Sequence, residues 1–336
     1  MKPVTILALG AVLASASVRA DGVLLVGNKS AASVEIVDLG SGVSQGRIAT
    51  GEGPHEIEVS PDGRRVVVAD YGTAASAGAT LTVIDWPSRT TRSVALGEHR
   101  RPHGLRFLPD GRRVVVTTEG SGSLVEVDLE RGRVLRAIEV GAGKPHMVAL
   151  APDGARAYVT QVAAGVVSVV DLASGRRLRD VATGAGAEGI AITPDGAELW
   201  VANRADDSVS VLDAATLAVV ATLPSAGFPI RVAMTPDARH VLLVNAKAAT
   251  LSVFDRTARR PVATVTLDEP GVRYQPSMLG DSALPIGVRV APDGLRAYVA
   301  ISGGDRVAVI DTATWTVLER WKTGREPDAV AIAGLR

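Results

Sequence analysis

The chain has 336 residues, of which 46% are hydrophobic, and it carries 36 basic and 36 acidic side chains. It is too apolar for an intrinsically disordered protein, and its even charge balance argues against a partner recognised by bulk charge, such as nucleic acid or an anionic membrane. The sequence contains no cysteine, which excludes a disulfide framework, a thiolate metal site and a cysteine nucleophile.

The first 20 residues have the pattern of a cleavable export signal. A lysine at position 2 precedes an apolar run from Val4 to about Val12, and small residues lead to Ala20. This run is too short to cross a bilayer, which takes about 18 apolar residues or more, and no later run reaches that length. We predict a signal peptide over residues 1–20, a mature domain over 21–336, and a periplasmic or secreted location without a membrane span. A buried first strand is the alternative.

A strand-turn-strand unit follows and recurs along the chain. Its turns read Pro-Asp-Gly, with alanine replacing glycine once, and they begin at Pro61, Pro109, Pro152, Pro194, Pro236 and Pro292. Proline presets the first central φ, aspartate bonds its own backbone and glycine accepts positive φ, so each tripeptide predicts a hairpin turn.

A third strand in each unit ends in an apolar residue followed by aspartate. The aspartates are Asp38, Asp85, Asp128, Asp171, Asp213, Asp255 and Asp311, at spacings of 47, 43, 43, 42, 42 and 56 residues. A period of about 40 to 45 residues with four short strands is typical of propeller blades. The sequence therefore predicts an all-β, seven-bladed β-propeller with four-stranded blades.

The two ends of the mature chain are complementary parts of one blade. Residues 21–50 supply three strands without an innermost strand, and residues 326–334 supply an innermost strand with nothing after it. We predict a one-plus-three closure, which removes an open sheet edge that would invite aggregation. Residues 21–336 then form a single domain.

Two segments that follow the turns carry a family resemblance. Tyr158 to Gln161 and Trp200 to Asn203 are close to the tetrapeptide YVTN, and the mature chain resembles YVTN-repeat β-propellers over nearly its whole length. The segment from Pro270 to Ile310 is similar to a blade of propellers associated with PQQ-dependent pathways. The resemblance implies an exported propeller with relatives near quinoprotein dehydrogenase systems and among lactonases and lyases. Function must still be argued from the site.

The turns also align the start of each innermost strand. The residues six positions before the turns are His55, His103, His146, Glu188, Ile230, Ile286 and, by the last repeat, Asp328. Three histidines in one register of a ring would converge, and neutral imidazoles bind zinc, copper, manganese and iron. We predict one divalent transition metal held by His55, His103, His146 and Glu188. Structural histidines copied by repeat duplication are the alternative.

Other polar residues are expected near the same channel mouth. Tyr71, Glu119 and Arg204 follow second strands, and Arg231 and Arg289 lie on inner strands. In an enzyme, Glu188 or Glu119 would act as the base and Arg231 would orient a carboxylate. Tyr71, Arg204 and Arg289 would contact the ligand.

Three functions remain open on the sequence. The first is a monomeric exported binding or accessory protein, whose channel mouth holds a metal or small anionic ligand or docks a periplasmic protein. The second is a metal-dependent lyase or lactonase-type hydrolase that uses the same residues. The third is an interaction scaffold without a small-molecule site. We favour binding, because few acid-base groups stand out.

Overall fold

The computed structural model describes residues 22–277 and 279–334, so the predicted signal peptide lies outside the described residues. Within them the chain forms seven four-stranded antiparallel sheets arranged in a ring, with only two short 3-10 helices, Lys29–Ala31 and Ser302–Gly304. The predicted all-β, seven-bladed propeller is confirmed. In the part of the chain that is described, no helix has the length and apolarity to cross a membrane.

The strands follow one another in chain order, four to a repeat. The first half comprises β1 (Val23–Asn28), β2 (Ser33–Asp38), β3 (Ser44–Ala49), β4 (Pro54–Val59), β5 (Arg65–Gly72), β6 (Ala77–Asp85), β7 (Thr90–Ala95), β8 (Pro102–Phe107), β9 (Arg113–Thr118), β10 (Ser123–Asp128), β11 (Arg133–Glu139), β12 (Pro145–Leu150), β13 (Arg156–Gln161) and β14 (Val166–Asp171). The second half comprises β15 (Arg176–Ala182), β16 (Ala187–Ile192), β17 (Glu198–Asn203), β18 (Ser208–Asp213), β19 (Val219–Pro224), β20 (Pro229–Met234), β21 (His240–Asn245), β22 (Thr250–Asp255), β23 (Arg260–Thr266), β24 (Pro285–Val290), β25 (Arg296–Ile301), β26 (Arg306–Asp311), β27 (Thr316–Lys322) and β28 (Pro327–Ala333).

The repeated aspartates have a local structural role in the turns. In the turn between β4 and β5, the Asp62 carboxylate accepts hydrogen bonds from the Arg64 backbone amide at 3.0 Å and the Ser60 hydroxyl at 2.6 Å. At the end of β14, Asp171 accepts from the Ser174 amide at 2.7 Å. Side-chain bonds of this kind fix a tight turn, which explains why aspartate recurs at both places in the repeat.

The ring closes by pairing the two ends of the chain. Strand β28 pairs with β1, with Leu25 opposite Ala331, and the first blade has the order β28, β1, β2, β3. This is the predicted one-plus-three closure. The innermost strand of that blade comes from the end of the chain, and the other three strands come from its beginning.

The core lies between the faces of neighbouring blades. One buried cluster joins Leu24 and Ile332 of the closing blade to Tyr298 and Val309 of the blade before it. Such contacts continue around the ring, because alternate residues of each strand point to opposite faces of the sheet. Each blade therefore depends on its neighbours, and the seven inner strands are held around a central channel.

Candidate functional site

The inner strands present their side chains to the channel in layers. Each inner strand begins at the same face of the ring, with proline as its first residue in six of the seven. The residue after that first position forms the upper layer, which consists of His55, His103, His146, Glu188, Ile230, Ile286 and Asp328. The next residue forms the middle layer, where Glu56 and Arg231 lie among glycines, an alanine and Met147. Two residues further on is the lower layer, which includes Glu58, Arg106 and Arg289 among alanines.

The three histidines of the upper layer stack in a row. The His103 ring lies with its centroid 4.0 Å from that of His55 and 3.7 Å from that of His146. The His103 side chain is fully buried, and neither of its ring nitrogens has a hydrogen-bond partner within the described residues. Burial, followed by the neighbouring His146 and His55, lowers the pKa of His103 well below its usual value. His103 is therefore a neutral imidazole, and both its N–H group and its acceptor nitrogen lack a partner among the described residues.

His146 lies between two carboxylates. Its Nδ1 is 2.5 Å from Oε1 of Glu119 and its Nε2 is 3.3 Å from Oε1 of Glu188. Burial alone would lower the pKa of His146, but Glu188 and Glu119 outweigh burial and raise it. Burial likewise opposes the ionised forms of Glu119 and Glu188, yet contact with His146 brings the pKa of each below its usual value.

His55 is held by a lysine and an aspartate. Its Nε2 is 3.3 Å from Nζ of Lys29, and its Nδ1 is 3.5 Å from Oδ1 of Asp328. Burial and then the Lys29 charge lower the pKa of His55 well below its usual value. Burial raises the pKa of Asp328 although Lys29 and Arg231 oppose this shift. His55 is thus neutral, with Nε2 accepting from Lys29.

Residues at the ends of second strands cover the upper layer. The Tyr71 hydroxyl donates to Oε2 of Glu119 at 2.6 Å, and the Tyr71 ring packs 5.1 Å from that of His55. Burial and then Glu119 raise the pKa of Tyr71. Arg204 pairs with Glu188 and stacks over the Phe228 ring at 5.1 Å.

The two remaining arginines lie deeper in the channel. Arg231 belongs to the middle layer, where it pairs with Glu56 and lies 3.9 Å from Oδ1 of Asp328. Arg289 belongs to the lower layer and lines a cavity of about 330 Å³ together with Arg106 and Glu58. The structure therefore places Arg231 beneath the histidines and Arg289 nearer the Pro-Asp-Gly turns than the predicted ligand-contact residues Tyr71 and Arg204.

Two overlapping groups of ligand atoms could hold a metal ion. His55, Glu56 and His103 form one and His103, Glu119 and His146 form the other, with the atoms of each group within 4.8 Å of one another. His103 belongs to both, whereas His55 and His146 fall in different groups. Imidazole nitrogen and carboxylate oxygen suit divalent transition metals, so the residues fit such an ion.

Asp328 and Glu56 were absent from the predicted ligand set. The turn register does place Asp328 in the ring, but only the structure shows that its carboxylate faces His55 and Lys29. Glu56 follows His55 directly, and a β-bulge between Pro54 and Glu56 turns its side chain into the channel. Glu56 and Arg231 are the two charged residues at a register position that is otherwise small or apolar, and this was the available signal.

Comparisons with known proteins agree with the architecture. A subunit of hydrazine synthase from Kuenenia stuttgartiensis has a TM-score of 0.70 and 20% identity, covering 82% of this chain and 88% of that one. A functionally unknown protein from Desulfotomaculum acetoxidans has a TM-score of 0.75 and 15% identity, covering 94% of this chain and 100% of that one. At these identities the likeness shows the fold alone. No curated protein matches the chain.

A family profile provides the sequence-level relationship. The profile described as "Lactonase, 7-bladed beta-propeller" matches residues 44–266. The match spans more than half of the chain and includes all three stacked histidines, Glu119, Glu188 and Arg231. The chain belongs to the seven-bladed β-propeller lactonase family.

Proposed function

We propose that this protein binds one divalent transition metal ion in the upper layer of its channel, with His55, His103, His146 and Glu188 as ligands. The observation that carries the proposal is His103, whose two ring nitrogens are buried without a hydrogen-bond partner among the described residues. Leaving a buried polar group unsatisfied costs about 1 to 3 kcal/mol. A bound ion would give one of the two nitrogens a partner and so reduce that penalty.

The surroundings of His146 support the same ion. Two ligands of a tetrahedral ion with bonds of about 2.0 to 2.2 Å would lie about 3.3 to 3.6 Å apart, and Nε2 of His146 is 3.3 Å from Oε1 of Glu188. On the other side of the ring, Glu119 holds Nδ1 at 2.5 Å. A carboxylate behind a histidine is the usual arrangement that orients a metal-binding imidazole.

Three cations neutralise the carboxylates around the upper layer. Lys29 faces His55 and Asp328, Lys144 lies 3.5 Å from Oε2 of Glu119, and Arg204 pairs with Glu188. Lys29 and Lys144 are substantially exposed, so they can withdraw into solvent at little cost. A bound ion would take the place of Lys29 at Nε2 of His55.

A second candidate function is hydrolysis of a lactone at this layer, and the family match favours it. Ring opening needs a base that takes a proton from water and donors that stabilise charge on the carbonyl oxygen. Glu188 is the base in this proposal and His146 returns the proton. Both arginines are paired with a glutamate, but Arg204 is 29% exposed and Arg231 only 7%, so Arg204 is better placed to meet a substrate carboxylate.

The cellular setting belongs to the same proposal. The N-terminal pattern and the resemblance to YVTN-repeat propellers support export, and the metal centre would then serve a periplasmic binding or accessory role. A protein docked on the upper face is an additional expectation, because Tyr71, Lys29 and Arg204 border that face.

Elemental analysis tests the metal centre. Protein is purified without an immobilised-metal column and compared with His103→Ala and with the control variant His240→Ala, since His240 packs edge to face against Trp315 outside the channel. We expect about one equivalent of metal in the native protein and in the control, and none in folded His103→Ala. A native protein that contains no metal and takes up none on titration contradicts the proposal.

Turnover of a panel of aldonolactones tests the hydrolase. We expect ring opening that Glu188→Gln abolishes while circular dichroism shows an intact fold. If metal binds and no lactone is opened, the binding role stands and the hydrolase does not.

A further inference from the structure

The lower part of the channel is a separate compartment. A cavity of about 330 Å³ lies among the inner strands below the histidines, with charged lining residues Glu56, Glu58, Arg106, Arg231 and Arg289. The ion pair of Glu56 with Arg231 in the middle layer stands between this cavity and the upper layer. None of the histidines lines it.

The charges of the cavity do not balance. Arg106 Nη1 lies 3.3 Å from Oε2 of Glu58, and Arg231 pairs with Glu56. Arg289 has no hydrogen-bond or ion-pair partner in residues 22–277 and 279–334. One positive charge is therefore left over inside the channel.

The position of Arg289 explains why it stays unpaired. Strand β24 lies between β20 and β28, and the same lower-layer position on those strands is occupied by Ala233 and Ala331. Alanine offers no partner and leaves room beside the guanidinium. The nearest lower-layer carboxylate in the ring, Glu58, lies two strands away and is already paired with Arg106.

We propose that this cavity is a binding site for a small oxyanion, a carboxylate or phosphoryl group, with Arg289 as its principal ligand. A guanidinium presents parallel N–H donors that match two oxygens of such a group. Arg106 can contribute a second cation when it turns from Glu58, since its side chain is 28% exposed. The site is reached from the turn face and is independent of the metal centre.

Titration calorimetry with inorganic phosphate and with succinate tests the site. We expect saturable binding of at least one of the two, weakened about tenfold or more in Arg289→Ala and retained in part by Arg289→Lys. Arg273→Ala is the matched control, because Arg273 is exposed in the loop after β23 and lies outside the cavity. It should bind as the native protein does.

Two further variants make the result specific. Glu58→Gln should tighten binding, because it removes a negative charge from the cavity and frees Arg106. The triple variant His55→Ala, His103→Ala, His146→Ala should bind the anion unchanged, so loss of the metal centre and loss of the anion site are distinguishable. Phosphate binding alone identifies a phosphoryl site and succinate binding alone a carboxylate site. The proposal is overturned if neither probe binds below about 10 mM, or if Arg289→Ala binds as tightly as the control.

Discussion

Glu56 and Arg231 form a buried ion pair across the channel, although 175 residues separate them in the sequence. Their strands, β4 and β20, lie on different sides of the ring, with β24 and β28 between them. The pair ties the two sides together beneath the histidines. Arg231 also lies 3.9 Å from Asp328, so one guanidinium serves two carboxylates.

Removing the arginine should destabilise the protein strongly. Arg231→Met leaves Glu56 buried without a cation and Asp328 with Lys29 alone, and we expect the free energy of unfolding to fall by about 3 to 5 kcal/mol at neutral pH. Glu56→Gln should cost less, because Arg231 keeps Asp328. Urea denaturation of the native protein, the two single variants and the double variant gives the coupling free energy between Glu56 and Arg231. The exposed pair Arg177 and Asp180 is the control, with an expected coupling below about 1 kcal/mol, and an equally small value for Glu56 and Arg231 would contradict this account.

The loss in Arg231→Met should shrink in acid. Burial raises the pKa of both Glu56 and Asp328, so in the variant these carboxyls accept protons more readily than usual. Protonation removes the uncompensated charge. We expect the stability difference between native and variant proteins to narrow from pH 7 to pH 5. A difference that is independent of pH would show that lost packing, and not charge, causes the destabilisation.

Asp70 should make the protein less stable as the pH rises. Burial raises its pKa from 3.8 to about 6, although the hydroxyls of Thr80 and Thr82 donate to it. The folded state then binds more protons than the unfolded state between these two pH values, so the free energy of unfolding falls through that window by up to about 3 kcal/mol. Above about pH 6 Asp70 is ionised in both states, and its effect on the free energy of unfolding no longer changes with pH.

Asparagine at this position should remove the pH dependence. The structurally matching Asn203 and Asn245 donate to hydroxyl groups on the neighbouring strand at 2.9 to 3.1 Å, so the site accepts an amide. We expect Asp70→Asn to be more stable than the native protein at pH 7 and equal to it near pH 4. Thermal melts across that range measure the difference. A native curve parallel to that of the variant would place the pKa of Asp70 at its ordinary value.

Removal of metal should lower the thermal midpoint. An ion present at about 100 times its dissociation constant stabilises the folded state by about 2.7 kcal/mol. Dialysis against a chelator should therefore lower the midpoint of the native protein and of His240→Ala, and leave that of His103→Ala unchanged. Adding back zinc or manganese should restore the thermal midpoints of the native protein and of His240→Ala. Equal responses in all three proteins would locate the metal elsewhere.

The closing strand should be essential for solubility. A chain that ends after Glu326 lacks β28, which exposes the edge of the apolar strand β1 and leaves its blade with three strands. We expect aggregation in size-exclusion chromatography, whereas a chain that ends after Gly334 should remain monodisperse. A peptide of residues 326–334 added during refolding should rescue the shorter chain by pairing with β1. Monodisperse behaviour of the shorter chain without the peptide would argue against this role.

Much of the architecture can be predicted from the sequence because the same sequence pattern recurs in each blade. The aspartates Asp62 and Asp171 mark turns whose hydrogen bonds are local, so their meaning can be interpreted one repeat at a time. The turn register also identified the upper layer, including Asp328, because the distance from turn to strand start is the same in every blade. The repeated local pattern was therefore sufficient to predict both the turns and the upper layer of the channel.

The chemistry of the channel could not be predicted in the same way. His146 contacts both Glu119 and Glu188 because side chains from three different blades converge there. The side on which Glu56 emerges depends on a β-bulge near the start of its strand, which shifts the alternation by one residue. Arg289 was expected beside Tyr71 and Arg204, but it is four residues into its strand, and a strand rises about 3.3 Å per residue. Arg289 lies three residues beyond Ile286 of the upper layer, about 10 Å along the strand, and the lower cavity is separated from the upper layer by this distance.

The closure of the first blade also sets the order in which the channel is completed during synthesis. Residues 23–49 are synthesised before the inner strand β28, with which they form one blade. That strand carries Asp328, which completes the surroundings of His55 and Arg231. A nascent chain therefore has no finished centre until residues 327–333 have been added. An ion that requires the whole ring cannot be captured by a partly made protein.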